Sequence, residues 1–382
     1  MTWPNVTINQ LNRLQGRIAE IERTLLYVGR AVSGDGDLIT LNSQSDIDTV
    51  LEDADELLRE NVRTAQLNGG QNWQAYALLI FDESTQEQWP AAIESAQDFI
   101  SVEGVVVMTQ IKDAAAGRTT IAAYAALRET LISKFGRRVW FILTVCGPNE
   151  IVPGVNWNSY LQLLSSLQTG IAASSVQLVP SLWGNEAGVL GGRLCNRSVT
   201  VADSPARVKT GPIVGLGIGS SDLPVDKDGA ELTLAHLRAM HDARYSVPMW
   251  YPDYEGLYWS DGRTLDVNGG DYQIIENLRV ADMIARRVRL MAIANIADRS
   301  MNSTPTSIAA HETYFAGPMR EHSRSSQING VTFPGEVKPP QDGDVTITWS
   351  DIETVAIYIV VRPYGSAKSI TVGIMLDLTL EG

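Results

Sequence analysis

The sequence predicts an α/β fold: an open mixed sheet flanked by helices, joined to a C-terminal α+β region and bounded by extended N- and C-terminal strand arms. Three observations lead there. Short apolar runs rich in β-formers, "RTLLYVGRA" (23–31), "AYALLIF" (75–81), "GVVVMTQ" (104–110) and "RVWFILTV" (138–145), show little alternation and suit strands buried on both faces. Segments with helical spacing separate them, so strand and helix alternate between residues 22 and 220. The two ends of the sequence instead show strict period-2 alternation.

In chain order, "WPNVTINQLN" places Val6 and Ile8 in alternation after Pro4 and reads as a short strand in an N-terminal arm, residues 1–21. The α/β unit follows over 22–220. Its first helical spacer, "SQSDIDTVLEDADELLREN" (43–61), opens on cap-type residues and repeats Ile47, Val50, Leu51, Ala54, Leu57 and Leu58 at helical spacing, which predicts one continuous helix. "TTIAAYAALRETLISKF" (119–135) reads as a helix closed by Gly136. "NWNSYLQLLSSLQTGIAAS" (156–174) reads as another, before the strand-like "VQLVPSLWG" (176–184).

A C-terminal helical and β region is expected over 221–362. Residues 211–271 are rich in Gly, Pro and aromatics and read as a packed irregular connection. A long helix over 271–300 shows Ile274, Leu278, Ala281, Ile284, Val288, Met291 and Ala294 on one face. Arg279, Arg286, Arg287 and Arg289 make part of the remainder basic. A shorter helix is expected within 305–324 and alternating strands at 345–349 and 355–361. The last segment, 363–382, is the C-terminal arm: in "SITVGIMLDLTLEG" Ile370, Val372, Ile374, Leu376, Leu378 and Leu380 hold every even position.

Composition narrows the function classes. A chain of 382 residues is long enough for a sizeable core. A net charge of −14 and a pI near 4.8 argue against direct nucleic-acid binding, which needs clustered Lys and Arg to displace counterions. Cys146 and Cys195 show no CxxC spacing and fit a reduced cytosol. No secretory h-region is visible, and no apolar run reaches the length of a spanning helix, so no membrane insertion is expected.

Catalytic patterns are sparse. His236 and His241 lie five apart in a helix-like stretch, on different faces; His311 neighbours Glu312, and His322 stands in a polar run, so no metal site is indicated. Gly215, Gly217 and Gly219 in "GLGIGSS" lack the GxGxxG spacing and any following P-loop Lys, so a glycine-rich turn is expected instead of a phosphate cradle. Asp222, Asp226 and Asp228 before Gly229 echo a calcium loop without its closing Glu, which leaves a solvated turn. Cys146 closes a predicted strand and reads as a buried structural thiol. The aromatic stretch 249–259 could line a sugar cleft, with loop packing as the plainer reading. No cofactor is implied, and this poverty favours a structural role over an enzyme.

Two alternating strands at opposite ends could pair within one molecule. Alternatively, they could be exchanged between copies, removing free edges and generating a ring or an open helical filament. At this point the sequence resembles the tail sheath proteins of contractile phage tails and related contractile injection systems. The resemblance rests on "WPNVTINQLN" leading directly to "TLLYVGRAV", an arm entering the first strand of an α/β domain. It rests also on the order of a long helix "NLRVADMIARRVRLMAIANIAD", a shorter helix and an alternating terminal strand. It covers the whole layout, although no outer insertion domain is obvious here.

The resemblance implies a structural subunit without enzymatic activity. Such subunits form a helical stack of hexameric rings around an inner tail tube protein, between a baseplate and a tail terminator. They contract from a metastable extended state. It implies a place in the virion tail after assembly in the bacterial host cytoplasm. Inter-subunit arm residues would be Val6, Ile8, Ile370, Val372, Ile374, Leu376 and Leu378, and Arg286, Arg287 and Arg289 would be available to an acidic tube surface. The rival readings are an α/β carbohydrate-active enzyme and a ring-forming tail terminator protein.

Overall fold

The computed structural model describes residues 21–81, 84–220 and 222–373. Its centre is a six-stranded sheet of order β2-β3-β1-β4-β5-β6, with β1 Thr24–Ala31, β2 Leu38–Asn42, β3 Gln74–Phe81, β4 Gly104–Ile111, β5 Trp140–Cys146 and β6 Val176–Ser181. All neighbours are parallel except β2, which runs antiparallel to β3 at the edge. The apolar runs sit where their composition requires: every residue of β5 and β6 is buried, as is all of β4 except Gln110.

Helices cover both faces. On one, α2 (Glu56–Gly69) packs against α6 (Glu186–Cys195); on the other, α3 (Trp89–Ala96), α4 (Ala114–Phe135) and α5 (Trp157–Gln168) lie in a row. The ten residues of α6 are all buried. Gly188 and Gly192 explain how: a Cβ at Gly188 would lie 2.0 Å from the Asn61 carbonyl oxygen of α2, and one at Gly192 2.5 Å from that of Ala65. The lack of a side chain at these two positions is what allows the two helices to touch.

Several expected boundaries move. The helix expected over 43–61 is broken into α1 (Ile47–Val50) and α2. The intervening residues extend the end of β1 instead: Val32 N–H donates to Asp53 O, Asp55 N–H donates to Arg30 O, and the Asp55 side chain then caps Leu58 N–H. The helix expected to reach 174 stops at Gln168, because Gly170 turns left-handed and Ala173 N–H pairs with Leu265 O. The connection at 211–271 contains α7 (Leu234–Asp242) and a hairpin of β7 (Pro248–Tyr251) and β8 (Tyr254–Trp259).

The long helix α8 spans Ile275–Ala294; residues before it bridge back to Arg263 and Thr264, and Ala297 after it has positive φ. The expected shorter helix is two, α9 (Pro305–Phe315) and α10 (Gly317–His322), divided where Pro318 starts the second. Two small antiparallel sheets follow, β9 (Ser326–Ile328) with β10 (Val331–Phe333), and β11 (Val345–Trp349) with β12 (Val355–Ile359). The apolar core divides accordingly: one cluster fills the sheet and its helices, and a second gathers α8, α9, α10 and β11.

A carboxylate in the first core makes stability pH-dependent. Glu186, at the start of α6, accepts N–H bonds from Leu182 and Trp183, both at 2.6 Å. Burial pushes its carboxyl up to about 7 against the pull of those donors, with the charge of Glu150 adding to the rise. A folded-state value above the unfolded one gives stability that is complete below the unfolded value and lost as pH rises through 7. The loss between pH 5 and 8 is about 2–3 kcal/mol. The isosteric Glu186→Gln variant lacks this loss, so its unfolding free energy should gain on the parent's by that amount across the interval. Denaturant titrations at the two pH values check this; an unchanged difference would place the charge elsewhere.

Candidate assembly surface

The second core seals only one strand of its hairpin. β11 turns Val345 and Ile347 inward and both are buried, whereas the inward residues of β12, Ile357 and Ile359, are half-buried. The reason is a groove of about 660 Å³ between β12 and α8, floored by Ala281, Ile284, Ala285, Val288 and Ala292 and walled by Ile357, Ile359 and Val361. Arg138 and Arg289 stand among the polar groups at its rim. β12 pairs with β11 on one side, and its other edge meets no described strand. A backbone edge that pairs with no described strand, beside an apolar trough, has the geometry to accept an extended segment whose side chains alternate.

After β12 the chain is held by a bridge between Pro363 and Val337, by the Lys338 N–H to Arg362 O bond and by the Arg362–Asp344 ion pair. From Tyr364 onward every described residue is exposed. Ile370 and Val372 are 78% and 74% exposed and join no described strand. The other arm residues, Val6, Ile8, Ile374, Leu376 and Leu378, lie outside the described residues.

The basic residues of α8 do not share one surface. Arg279 is buried in an ion pair with Glu103, and Arg286 turns inward, its Nε 3.5 Å from Glu22 Oε1. Arg287 is half-buried; Arg289 is exposed, lies against Gly136 at the end of α4 and lines the groove. Of the three expected together on a tube-facing surface, Arg289 alone is exposed.

The remaining candidate residues have local partners. His236 stacks on Trp157 at 5.1 Å and completes the cap of α7 with Thr233; His241 faces Asp242; His311 Nδ1 is 2.9 Å from Ser307 O; His322 pairs with Glu336. Among the described residues no group of three or more His, Cys, Asp or Glu could hold a metal ion. Likewise no described helix is long and apolar enough to cross a membrane.

Asp226, expected in a solvated turn, is buried and organises its loop by accepting N–H bonds from Trp157, Asp228 and Ala230. Burial opposes its ionisation, yet these donors hold its carboxyl below the usual range. Asn185 clamps the glycine turn, receiving Gly217 N–H and donating to Gly215 O. The Cys146 thiol is pushed up to about 12 by burial and then by Glu150, which removes thiolate at neutral pH. Tyr251, Tyr254 and Tyr258 pack on one another with ring centroids 5.6–6.3 Å apart. The groove itself was not legible in the sequence: alternation marks 355–361 as a strand but does not say that one flank stays open.

Residues 3–263 match the family profile described as DUF2586, N-terminal domain, and residues 271–379 match DUF2586, C-terminal domain. A protein assigned as the tail sheath protein of Haemophilus phage HP1 (strain HP1c1) is 50% identical over 381 residues, spanning 100% of both chains. Solved structures with the same fold include the helical sheath of the anti-feeding prophage in its contracted state, with TM-score 0.57 and 15% identity over 99% of this chain and 100% of that one. The sheath tail protein of Desulfitobacterium hafniense gives TM-score 0.54 at 10% identity, covering 94% and 96%. That of Listeria innocua gives 0.53 at 8%, covering 91% and 93%.

The asymmetry of the hairpin is open to direct measurement. Ile347→Asp buries a charge without a partner and should cost about 3–5 kcal/mol or prevent folding. Ile357→Asp, on the groove wall, keeps its carboxylate in contact with water and should cost under about 1.5 kcal/mol. Equal losses in chemical denaturation would mean that the groove is closed in solution.

Proposed function

This chain belongs to the DUF2586 family and is a contractile phage tail sheath protein, and from that premise we propose that its subunits polymerise around an inner tube by exchanging strands. One observation supports the reading: among the described residues β12 has an edge that pairs with no strand, beside an apolar groove, and Ile370 and Val372 stand exposed and join no described strand. A segment added alongside β12 would run about 4.8 Å away and send alternate side chains into the groove. The series Ile370, Val372, Ile374, Leu376 and Leu378 has that alternation; Val6 and Ile8 would serve the N-terminal arm in the same way. Each buried Ile or Leu would contribute about 1.5–3 kcal/mol and each backbone bond about 1 kcal/mol, enough to tether neighbours.

In this reading the arms, 1–21 and 363–382, flank a body of the α/β unit 22–220 and the region 221–362. The helical stack of hexameric rings assembles in the host cytoplasm on a tube protein, between baseplate and terminator, and becomes part of the virion tail. Contraction draws on subunit interfaces, because a metastable assembly needs an incomplete set of contacts that the shorter state completes. No nucleotide, metal or catalytic turnover enters, and neither nucleic acid nor membrane is a direct partner. Contact with the tube falls first to Arg289, with Arg286 and Arg287 of the same helix behind it.

Removing residues 369–382 should leave a folded, soluble subunit that no longer forms tubes in negative-stain micrographs. A synthetic 369–382 peptide should bind that truncated subunit, and Ile357→Asp should abolish the binding. Normal tubes from the truncated protein would end the strand-exchange account. Separately, Arg289→Glu should impair co-assembly with the tube at low salt and less so at high salt; unchanged co-assembly would remove this residue from the interface.

A further inference from the structure

Beyond Tyr364 the exposed segment keeps an ionic hold on the body through Lys368. The side chain of this residue is 29% exposed although its neighbours face solvent, and its ammonium lies 2.5 Å from Asp261 Oδ1 and 2.8 Å from Glu276 Oε1. Both carboxylates belong to buried residues, 4% and 5% exposed. Asp261 follows β8 and also receives the Gly262 N–H; Glu276 sits in the first turn of α8, where neither of its oxygens has a well-aligned hydrogen bond.

Two buried carboxylates facing the same point repel each other, and their desolvation is tolerable only with a cation between them. A lysine on a solvent-exposed strap has no need of such surroundings. The carboxylates need the lysine. Glu276 stays raised by burial and by Asp261 even with Lys368 drawing it down, so the ammonium leaves little to spare. We propose that Asp261 and Glu276 form an anionic socket that takes the Lys368 ammonium and latches the root of the C-terminal segment to its own subunit. Residues from Ser369 onward then depart from a fixed point.

The latch goes beyond the assembly reading, since it belongs to the isolated subunit. Its placement is mechanical. Tension on the segment reaches Glu276 at the start of α8, and α8 is fastened next to the start of β4 by Arg279 to Glu103 and, about a turn further on, to α4 by Asp282 to Arg128.

A nitroxide at Ser369→Cys tests the latch in dilute full-length subunit, where the native cysteines are buried. The label should give a slow-motion spectrum. Lys368→Met should convert it to a fast one and lower the unfolding temperature, because two buried carboxylates lose their counter-charge. Lys368→Arg should retain most of the slow component. The triple variant Lys368→Met, Asp261→Asn, Glu276→Gln removes all three charges, so it should regain stability while the label stays fast; it also guards against misfolding of the single variant. A slow label in Lys368→Met or in the triple variant would overturn the proposal. So would a label slow only at concentrations where subunits associate, since the socket would then take a neighbour's lysine. Loss of strand exchange upon deleting 369–382 has no bearing on any of these outcomes.

Discussion

Everything in this subunit is registered on one buried carboxylate, that of Glu103. It lies at the threshold of β4, and its two oxygens receive Arg279 Nε at 2.5 Å, an Arg279 terminal nitrogen at 2.9 Å and the Arg23 N–H at 2.6 Å. Arg279 also donates to Leu194 O at the end of α6. The backbone of Glu103 contributes too, its N–H pairing with Thr24 O and its carbonyl accepting from Trp140. The starts of three parallel strands, the end of α6 and the first turns of α8 therefore meet at one ion pair. Removing either partner would strand a charge in the interior, at a cost of about 3–5 kcal/mol. The pair ties the C-terminal region to the start of β4.

From this joint α8 acts as a beam. Asp282, one turn beyond Arg279, accepts Nη2 of Arg128 of α4 at both carboxylate oxygens, at 2.7 and 2.8 Å. Farther along, Ile284 and Val288 leave the first core and enter the second, where they form the floor of the groove. One helix thus carries the ionic attachment to the sheet, a carboxylate of the Lys368 socket and the floor of the groove. In the strand-exchange reading, force entering at the arm would pass through these ion pairs to reach the sheet.

The same helix shows why the sequence was legible in one respect and opaque in another. Parallel strands announce themselves as uninterrupted apolar runs, so β1, β3, β4 and β5 could be located from composition. Arg279 and Arg286 could not be told from Arg289. All three stand outside the apolar stripe at similar spacing, and only Glu103 and Glu22, distant in the chain, decide which turn inward. α6 and β2 were missed for related reasons. The glycines of α6 are poor helix formers kept for contact with α2, and β2 is a short edge strand whose partner lies beyond a helical segment. The 43–61 break was hidden because Asp53 and Asp55 serve β1 through backbone bonds that helical periodicity does not reveal.

The groove and the charge of the chain pull in opposite directions, and their balance bears on how such an assembly stores work. A monomer gains nothing from an apolar trough beside an open strand edge, which invites nonspecific association. With a net charge of −14, copies of this subunit repel one another over roughly a Debye length, about 8 Å at physiological salt. Random encounters are thus discouraged, while a segment that fits the edge and fills the trough can overcome repulsion locally. Bodies tethered by such segments but held apart by like charge have contact surface still to gain. A sheath built this way is stable against dissociation without being at its lowest free energy, and a subunit with that property needs no fuel beyond its own unfinished interfaces.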